Sequence, residues 1–462
     1  MGKLKITLED LFNVPTAVIY NPDGFKPVAK VEIDSRKIKK GCLFVAIKGE
    51  KFDGHKFVED AIRLGASSVM INVNNLKKFR SLDLPVVAVE DTTKAFGDLA
   101  NIWRRKLNAK VIGITGSNGK TTTKEMIATL LAEKFSVVKT AANNNNHIGV
   151  PLTIFSADEK CEALILEQGT NHFGEIAYSA KISQPVFAVL TNIGESHLEF
   201  LKNKEGVYKE KAALLFEAIK HGGFVFVNMD DPIIRANAKN FKNKITYGFS
   251  GKVDVKGKIK GFTDDGKTKI EILYGKEKLE TILPVHGEVN AKNFLVAAAI
   301  AIKAGLTKKQ ILAGAKKLQP VHGRLEVRKY EKAMVIDDTY NASPTSVQSA
   351  VDLVKKIKTF SKKIVVLGDI FELGNKSVKL HKELVNAFDA DKNLVVLTVG
   401  NYMQHLVKEL RKKNIRSIHF FLREALSLYL QYEEIEGSVI LVKGSRGMKM
   451  EEFVNILEKR FA

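Results

Sequence analysis

A chain of 462 residues that is 45% hydrophobic and 27% charged can bury several cores, which excludes a disordered or fibrous protein. No run of 18 apolar residues is long enough for a membrane span, the opening MGKLKITLEDLF lacks the apolar stretch of a secretory signal, and two distant cysteines, Cys42 and Cys161, exclude a disulfide framework or zinc cluster, so a reducing cytoplasm is the expected compartment. The formal net charge of +21 rests on scattered lysines with glutamates between them; without a basic arm, a zinc-finger spacing or an RNA-binding aromatic motif it indicates a solvated surface serving anionic substrates, with neither nucleic acid nor membrane as partner.

In chain order, residues 1–108 carry short strand-like runs (KVEIDS, CLFVAI, SVMI, VVAV) and helical stretches near 55–64 and 92–107. Residues 109–318 open on VIGITGSNGKTTTK and close on two helical segments near 290–304 and 307–317. Within them, 251–285 alternates short runs with GK, DDG and YGK turns and is expected to form antiparallel hairpins. Residues 319–462 alternate helices with AMVIDD, KIVVLGD, NLVVLTVG, SIHFF and SVILVKG. That alternation predicts βαβ units around a mostly parallel sheet.

The opening of the central block is a phosphate cradle by composition. VIGIT reads as a buried strand, and Gly116, Ser117, Asn118 and Gly119 form a turn whose main-chain N–H groups can reach phosphate oxygens. Lys120 supplies a point charge, Thr121 a hydroxyl for Mg²⁺, and Lys120 and Thr121, followed by Thr122, open a helix whose N-terminus adds positive potential. One position departs from the general pattern: the residue six before the lysine is Ile114, not glycine. Two further apolar runs end in polar groups, ALIL at Glu167 and VFAVLT at NIGESH with His197. Strand carboxyl ends share one edge of a parallel sheet, so Lys120, Thr121, Glu167 and His197 are expected to converge there as a divalent-metal site. A histidine is an unusual Mg²⁺ ligand, which makes Mn²⁺ a candidate substitute. The loop NNNNHIGVP (143–151) reads equally as a plain turn or as amides, including Asn145 and Asn146, presented to a polar substrate.

TGSNGKTT, the strand-end Glu167, TNIGESH and GRLE together resemble the Mur ligases, ATP-dependent amide-forming enzymes of peptidoglycan stem-peptide synthesis. Residues 34–57, 144–153, 166–178, 337–346, 366–374 and 442–451 further resemble the branch that adds D-alanyl-D-alanine to UDP-N-acetylmuramoyl-tripeptide. The resemblance implies an α/β protein of three domains: an N-terminal α/β UDP-sugar domain (1–108), a central P-loop-type parallel-sheet ATPase domain with an antiparallel hairpin addition (109–318), and a C-terminal Rossmann-like domain for the incoming dipeptide (319–462). It implies a monomer that closes on nucleotide and uses ATP and two Mg²⁺ sites.

By the same resemblance, Lys120 holds the β- and γ-phosphates, Thr121 and Glu167 bind Mg²⁺, and His197 serves a second metal. Lys211 matches a lysine that CO₂ converts to a carbamate able to hold metal, with Lys209 a close rival. Asn290 and Asn293 lie near the nucleotide, although Val289 stands where the family often has histidine. Arg324 reaches the phosphates and Asp338 the ribose. For the UDP-sugar the candidates are Ser35, Arg36, Asp53, Gly54 and His55, with Asn171, His172 and Glu175 along the central cleft. For the dipeptide they are Asn341, Ser343, Lys443, Ser445 and Arg446, a cation there taking its carboxylate. The related ligase that adds the third residue carries an Asp-Asn-Pro-Arg signature, which is absent here. A non-ligating nucleotide-driven switch is the alternative from another class.

Overall fold

The apolar runs become the buried strands of three sheets in the computed structural model, which describes residues 4–195 and 198–462. The N-terminal sheet holds β1 (Val18–Tyr20), β2 (Val31–Glu32), β3 (Cys42–Val45), β4 (Ala66–Asn72) and β5 (Val86–Val89), ordered β1-β5-β4-β3-β2. All neighbours are parallel except β1, which lies antiparallel on β5. β5 is buried along its whole length, as a parallel strand covered on both faces must be. β1 is a partly exposed edge strand, which explains why its short run VIY carries no clear pattern. The helix Thr92–Lys106 starts at Asp91, whose carboxylate accepts the N–H groups of Thr93 and Lys94. Its Trp103 donates to the Ala157 carbonyl at 3.0 Å and ties this body to the next.

The central sheet comprises β6 (Lys110–Thr115), β7 (Val137–Lys139), β8 (Ala163–Glu167), β9 (Phe187–Leu190), β10 (Phe224–Asn228), β11 (Lys244–Gly248), β12 (Val255–Phe262), β13 (Lys267–Tyr274) and β14 (Glu277–His286). Its order is β14-β13-β12-β11-β10-β9-β6-β8-β7. β7 to β12 pair in parallel and β12–β13–β14 antiparallel. The expected hairpins therefore extend the parallel sheet rather than stand apart from it. Their turns use Gly266 and Gly275 at φ +86° and +56°, values that a side chain would resist.

The C-terminal sheet runs β15 (Glu326–Lys329), β16 (Ala333–Asp338), β20 (Ser438–Lys443), β17 (Lys362–Gly368), β18 (Leu394–Val399) and β19 (Ser417–Phe420), with only β15 antiparallel. Placing β20 between β16 and β17 creates a switch point, and a crevice opens at the carboxyl ends of those strands. This body is docked on the central one. An apolar cluster runs unbroken from Leu214 and Leu215 to Met334 and Ile336. At the tip of the β12–β13 hairpin, Gly266 lies against Leu353 and Ile357, the Asp264 carbonyl accepts the Lys358 N–H at 2.8 Å, and Asp265 pairs with Lys329. Among the described residues no helix is long and apolar enough to cross a membrane.

Candidate active site

β8, β6 and β9 lie side by side, so their carboxyl ends deliver Glu167, the 116–119 loop and the segment from Thr191 to one edge. The loop glycines have specific physical reasons. Gly116 sits at φ +153° where a Cβ would come within 1.9 Å of Thr191 Oγ1; Gly119 sits at φ +79° where one would come within 2.5 Å of Asn293 Oδ1. Ile114 is fully buried beneath the loop, so the departure from the general pattern serves the core. Asn192 clamps the loop, accepting the Asn118 N–H and donating to the Asn118 carbonyl, both at 3.0 Å.

Around this loop a cleft of about 550 Å³ gathers the predicted residues Ser117–Thr122, Asn145, Glu167, Asn171, Asn290, Asn293, Arg324, Asp338, Asn341, Ser343, Lys443, Ser445 and Arg446. Glu167 is buried; its Oε1 accepts from Thr121 Oγ1 at 3.1 Å and Asn145 Nδ2 at 3.0 Å. Its Oε2 is buried with no hydrogen-bond partner among the described residues. An orphaned carboxylate oxygen beside a hydroxyl is a hard-oxygen donor set that suits Mg²⁺. Arg324, from the C-terminal body, donates to Thr121 Oγ1 at 3.0 Å and lies 3.9 Å from the centre of the Tyr340 ring. Lys120 is folded back on the Gly116 carbonyl at 2.8 Å. Burial lowers its ammonium below the usual lysine range, against the Glu167 charge and with that of Arg324.

Lys211 is buried on the helix Lys204–Lys220, whereas Lys209 is exposed, which separates the two rivals. The Lys211 ammonium makes no hydrogen bond or salt bridge among the described residues. Its neighbour Glu210 is already spent on Thr170 Oγ1 and the N–H groups of Gly174 and Ile176. Burial pushes Lys211 well below the usual lysine range; Lys120 adds to the effect and Glu210 opposes it. That shift favours the unprotonated amine, the form that reacts with CO₂. His197 lies outside the described residues.

The other predicted residues have these partners. His55 is buried with both ring nitrogens in use: Nδ1 lies 2.6 Å from Asp53 Oδ1, and Nε2 accepts the Asn72 N–H at 2.9 Å. A Cβ on Gly54 would meet the Ile47 carbonyl at 2.7 Å. Asp53, Gly54 and His55 thus build a turn, and they lie outside the cleft around the phosphate loop. Ser35 and Arg36 also lie outside it; Arg36 is exposed, its fork held by Asp34 at 2.9 Å through both nitrogens. Asn146 caps the helix Gly149–Phe155 by accepting the Ile148 and Gly149 N–H groups. Glu175 accepts the Asn171 and His172 N–H groups, which outweigh burial and lower its pKa, and the His172 ring packs on Phe200. Lys443 is buried on Asp338 at 2.6 Å and the Asn341 carbonyl at 2.9 Å, so it is not free for a dipeptide carboxylate. Ser445 accepts the Phe371 N–H. Arg446 remains exposed, with Glu451 at 3.4 Å.

Lys124 was not singled out in the sequence. It is buried, donates to the Thr140 carbonyl at 2.7 Å and stands 3.8 Å from Glu167 Oε2. The signal was present: Lys124 lies four residues after Lys120 and three after Thr121, on one helix face. Tyr340, Asn192 and Phe371 line the same cleft and were likewise missed.

Three family models match the chain: the Mur ligase family catalytic domain over 27–104, the Mur ligase middle domain over 114–301, and the Mur ligase glutamate ligase domain over 323–446. A UDP-N-acetylmuramoyl-tripeptide–D-alanyl-D-alanine ligase of Bacillus subtilis is 34% identical, covering 98% of each chain. One from Escherichia coli is 32% identical over 99% of each. Among solved structures, a MurF of Acinetobacter baumannii superposes with a TM-score of 0.88 at 28% identity, covering 99% of this chain and 100% of that one. A MurF ligase of Thermotoga maritima in complex with ADP gives 0.82 at 29% identity, covering 94% and 97%.

Proposed function

Because this chain belongs to the Mur ligase family, we propose that it joins D-alanyl-D-alanine to UDP-N-acetylmuramoyl-tripeptide, driven by ATP conversion to ADP and phosphate. The observation that carries this reading is similarity to ligases of that specificity along nearly the whole chain, joined to the meeting of Lys120, Thr121, Glu167 and Arg324 at one sheet edge.

A carboxylate is a poor electrophile. A tripeptide carboxylate oxygen attacks the γ-phosphorus, the bond to the β-bridging oxygen breaks, and ADP leaves. The resulting acyl phosphate is attacked by the dipeptide amine, passes through a tetrahedral intermediate and expels phosphate. Positioning and charge neutralisation dominate such chemistry. Lys120 exchanges the Gly116 carbonyl for phosphate oxygens, and Arg324 brings a second cation from the C-terminal body. Thr121 and Glu167 would hold Mg²⁺, which supplies charge neutralisation between the phosphates when bound. Lys211 would carry the carbamate: its unprotonated amine nitrogen adds to CO₂ and loses one proton, so a neutral group becomes an anion. Asn290 and Asn293 face the nucleotide, Asp338 the ribose. Ser35, Arg36 and Asn171 serve the UDP-sugar, and Asn341 and Arg446 the dipeptide.

With ATP, Mg²⁺, UDP-N-acetylmuramoyl-tripeptide and D-alanyl-D-alanine, phosphate release is expected to require both acceptors. ¹⁸O from the tripeptide carboxylate should appear in phosphate. Turnover that ignores the dipeptide would refute the ligase reading and favour a nucleotide-driven switch.

A further inference from the structure

The phosphate loop is gripped from the C-terminal body by one side chain. Asn118 accepts from Ser343 Oγ at 3.1 Å through Oδ1 and donates from Nδ2 to Thr345 Oγ1 at 3.0 Å. Its main chain belongs to the opposite side. The Asn118 N–H goes to Asn192, and its carbonyl accepts from Thr191 Oγ1 at 2.6 Å as well as from Asn192. A single residue is thus part of the nucleotide cradle through its backbone and part of the first turn of the helix Pro344–Lys356 through its amide.

The helix does not need this arrangement. Ser343 already caps it by accepting the Ser346 N–H, with Ser346 reaching back to the Ser343 carbonyl. Thr345 Oγ1 also lies 3.3 Å from Ser343 Oγ, but it accepts none of the helix N–H groups, and the residue is exposed, so water could satisfy its hydroxyl. Instead it meets an amide on another body, 227 residues away in sequence.

We propose that Thr345, with Ser343, is a positioning residue that acts through Asn118, so that ordering of the phosphate loop and docking of the C-terminal body become one event. This rests on the ligase reading above. A loop held by nucleotide presents a fixed amide to Ser343 and Thr345 and strengthens docking. By linkage, docking strengthens nucleotide binding by the same factor. The net worth of one neutral hydrogen bond corresponds to about a fivefold effect.

Thr345→Val keeps the side-chain shape and leaves the Ser343–Ser346 bonds of the cap intact, removing only the hydroxyl that meets Asn118 and Ser343. Calorimetric titration of the full chain with ADP and Mg²⁺ should show affinity about fivefold weaker, with melting temperature unchanged and Thr345→Ser restoring the wild-type value. In a double-mutant cycle, Thr345→Val should add nothing once Asn118→Ala is present. Wild-type affinity in Thr345→Val, or losses that simply add, would overturn the proposal. A wild-type chain that binds no ADP would instead count against the ligase reading, so the two failures are distinct.

Discussion

Glu167→Gln should lower kcat by about 10²- to 10³-fold, the scale expected when a preorganised charge-stabilising group is lost. It should also raise the Mg²⁺ concentration needed for half-maximal rate. The substitution preserves shape and the contacts of Oε1 with Thr121 and Asn145. It removes a negative charge from a buried position where one oxygen has no hydrogen-bond partner among the described residues, the Lys124 ammonium standing 3.8 Å away. Folding bears the cost of that orphan, and function is the reason to retain it. Lys124 keeps the Thr140 carbonyl and Glu125 as partners, so the variant should melt at or near the wild-type temperature while losing turnover. A large drop in melting temperature with turnover preserved would assign Glu167 to the scaffold instead.

Lys211→Ala should lose activity on a comparable scale, about 10²- to 10³-fold, and regain part of it when short carboxylic acids are supplied. The cavity left by the lysine stem can admit a small acid, whose carboxylate replaces the carbamate. In the wild-type chain, ¹³C-labelled bicarbonate should produce a carbamate carbon signal that disappears in the variant. The signal should grow as pH rises through the depressed lysine pKa, because only the unprotonated amine adds CO₂. Full activity in Lys211→Ala would end the idea. Protonating this lysine also opposes folding. In the window between its folded and unfolded pKa values the unfolded chain binds more protons, so this group makes stability rise with pH there.

Strands with both faces covered were legible because they have little choice of residue. VVAV, ALIL and AMVIDD are apolar along their length, and each is a buried strand. β1 and β7 escaped notice since edge strands half in water carry no such constraint. The phosphate loop was readable because its glycines answer to close approaches that nothing larger tolerates. Lysines were the opposite case. Lys120, Lys124, Lys211 and Lys443 look alike in sequence among 73 basic residues. Their roles depend on which acceptor lies within reach: Gly116, Thr140, none among the described residues, and Asp338, respectively. DGH in the N-terminal body is a related case. A histidine next to an aspartate has the composition of a binding pair, and only the Asn72 N–H behind the ring reveals a turn.

Two of the contacts that fasten the C-terminal body differ in character. At the phosphate loop the fastening to Asn118 is by neutral hydroxyl and amide groups, each replaceable by water at little cost. At the β12–β13 tip it is Leu353 and Ile357 seated on Gly266, with a charged pair beside them, and parting these would wet apolar surface. If the bodies part, the polar contact is expected to open before the apolar one. The β12–β13 extension is then the contact that keeps Arg324 near the phosphate loop.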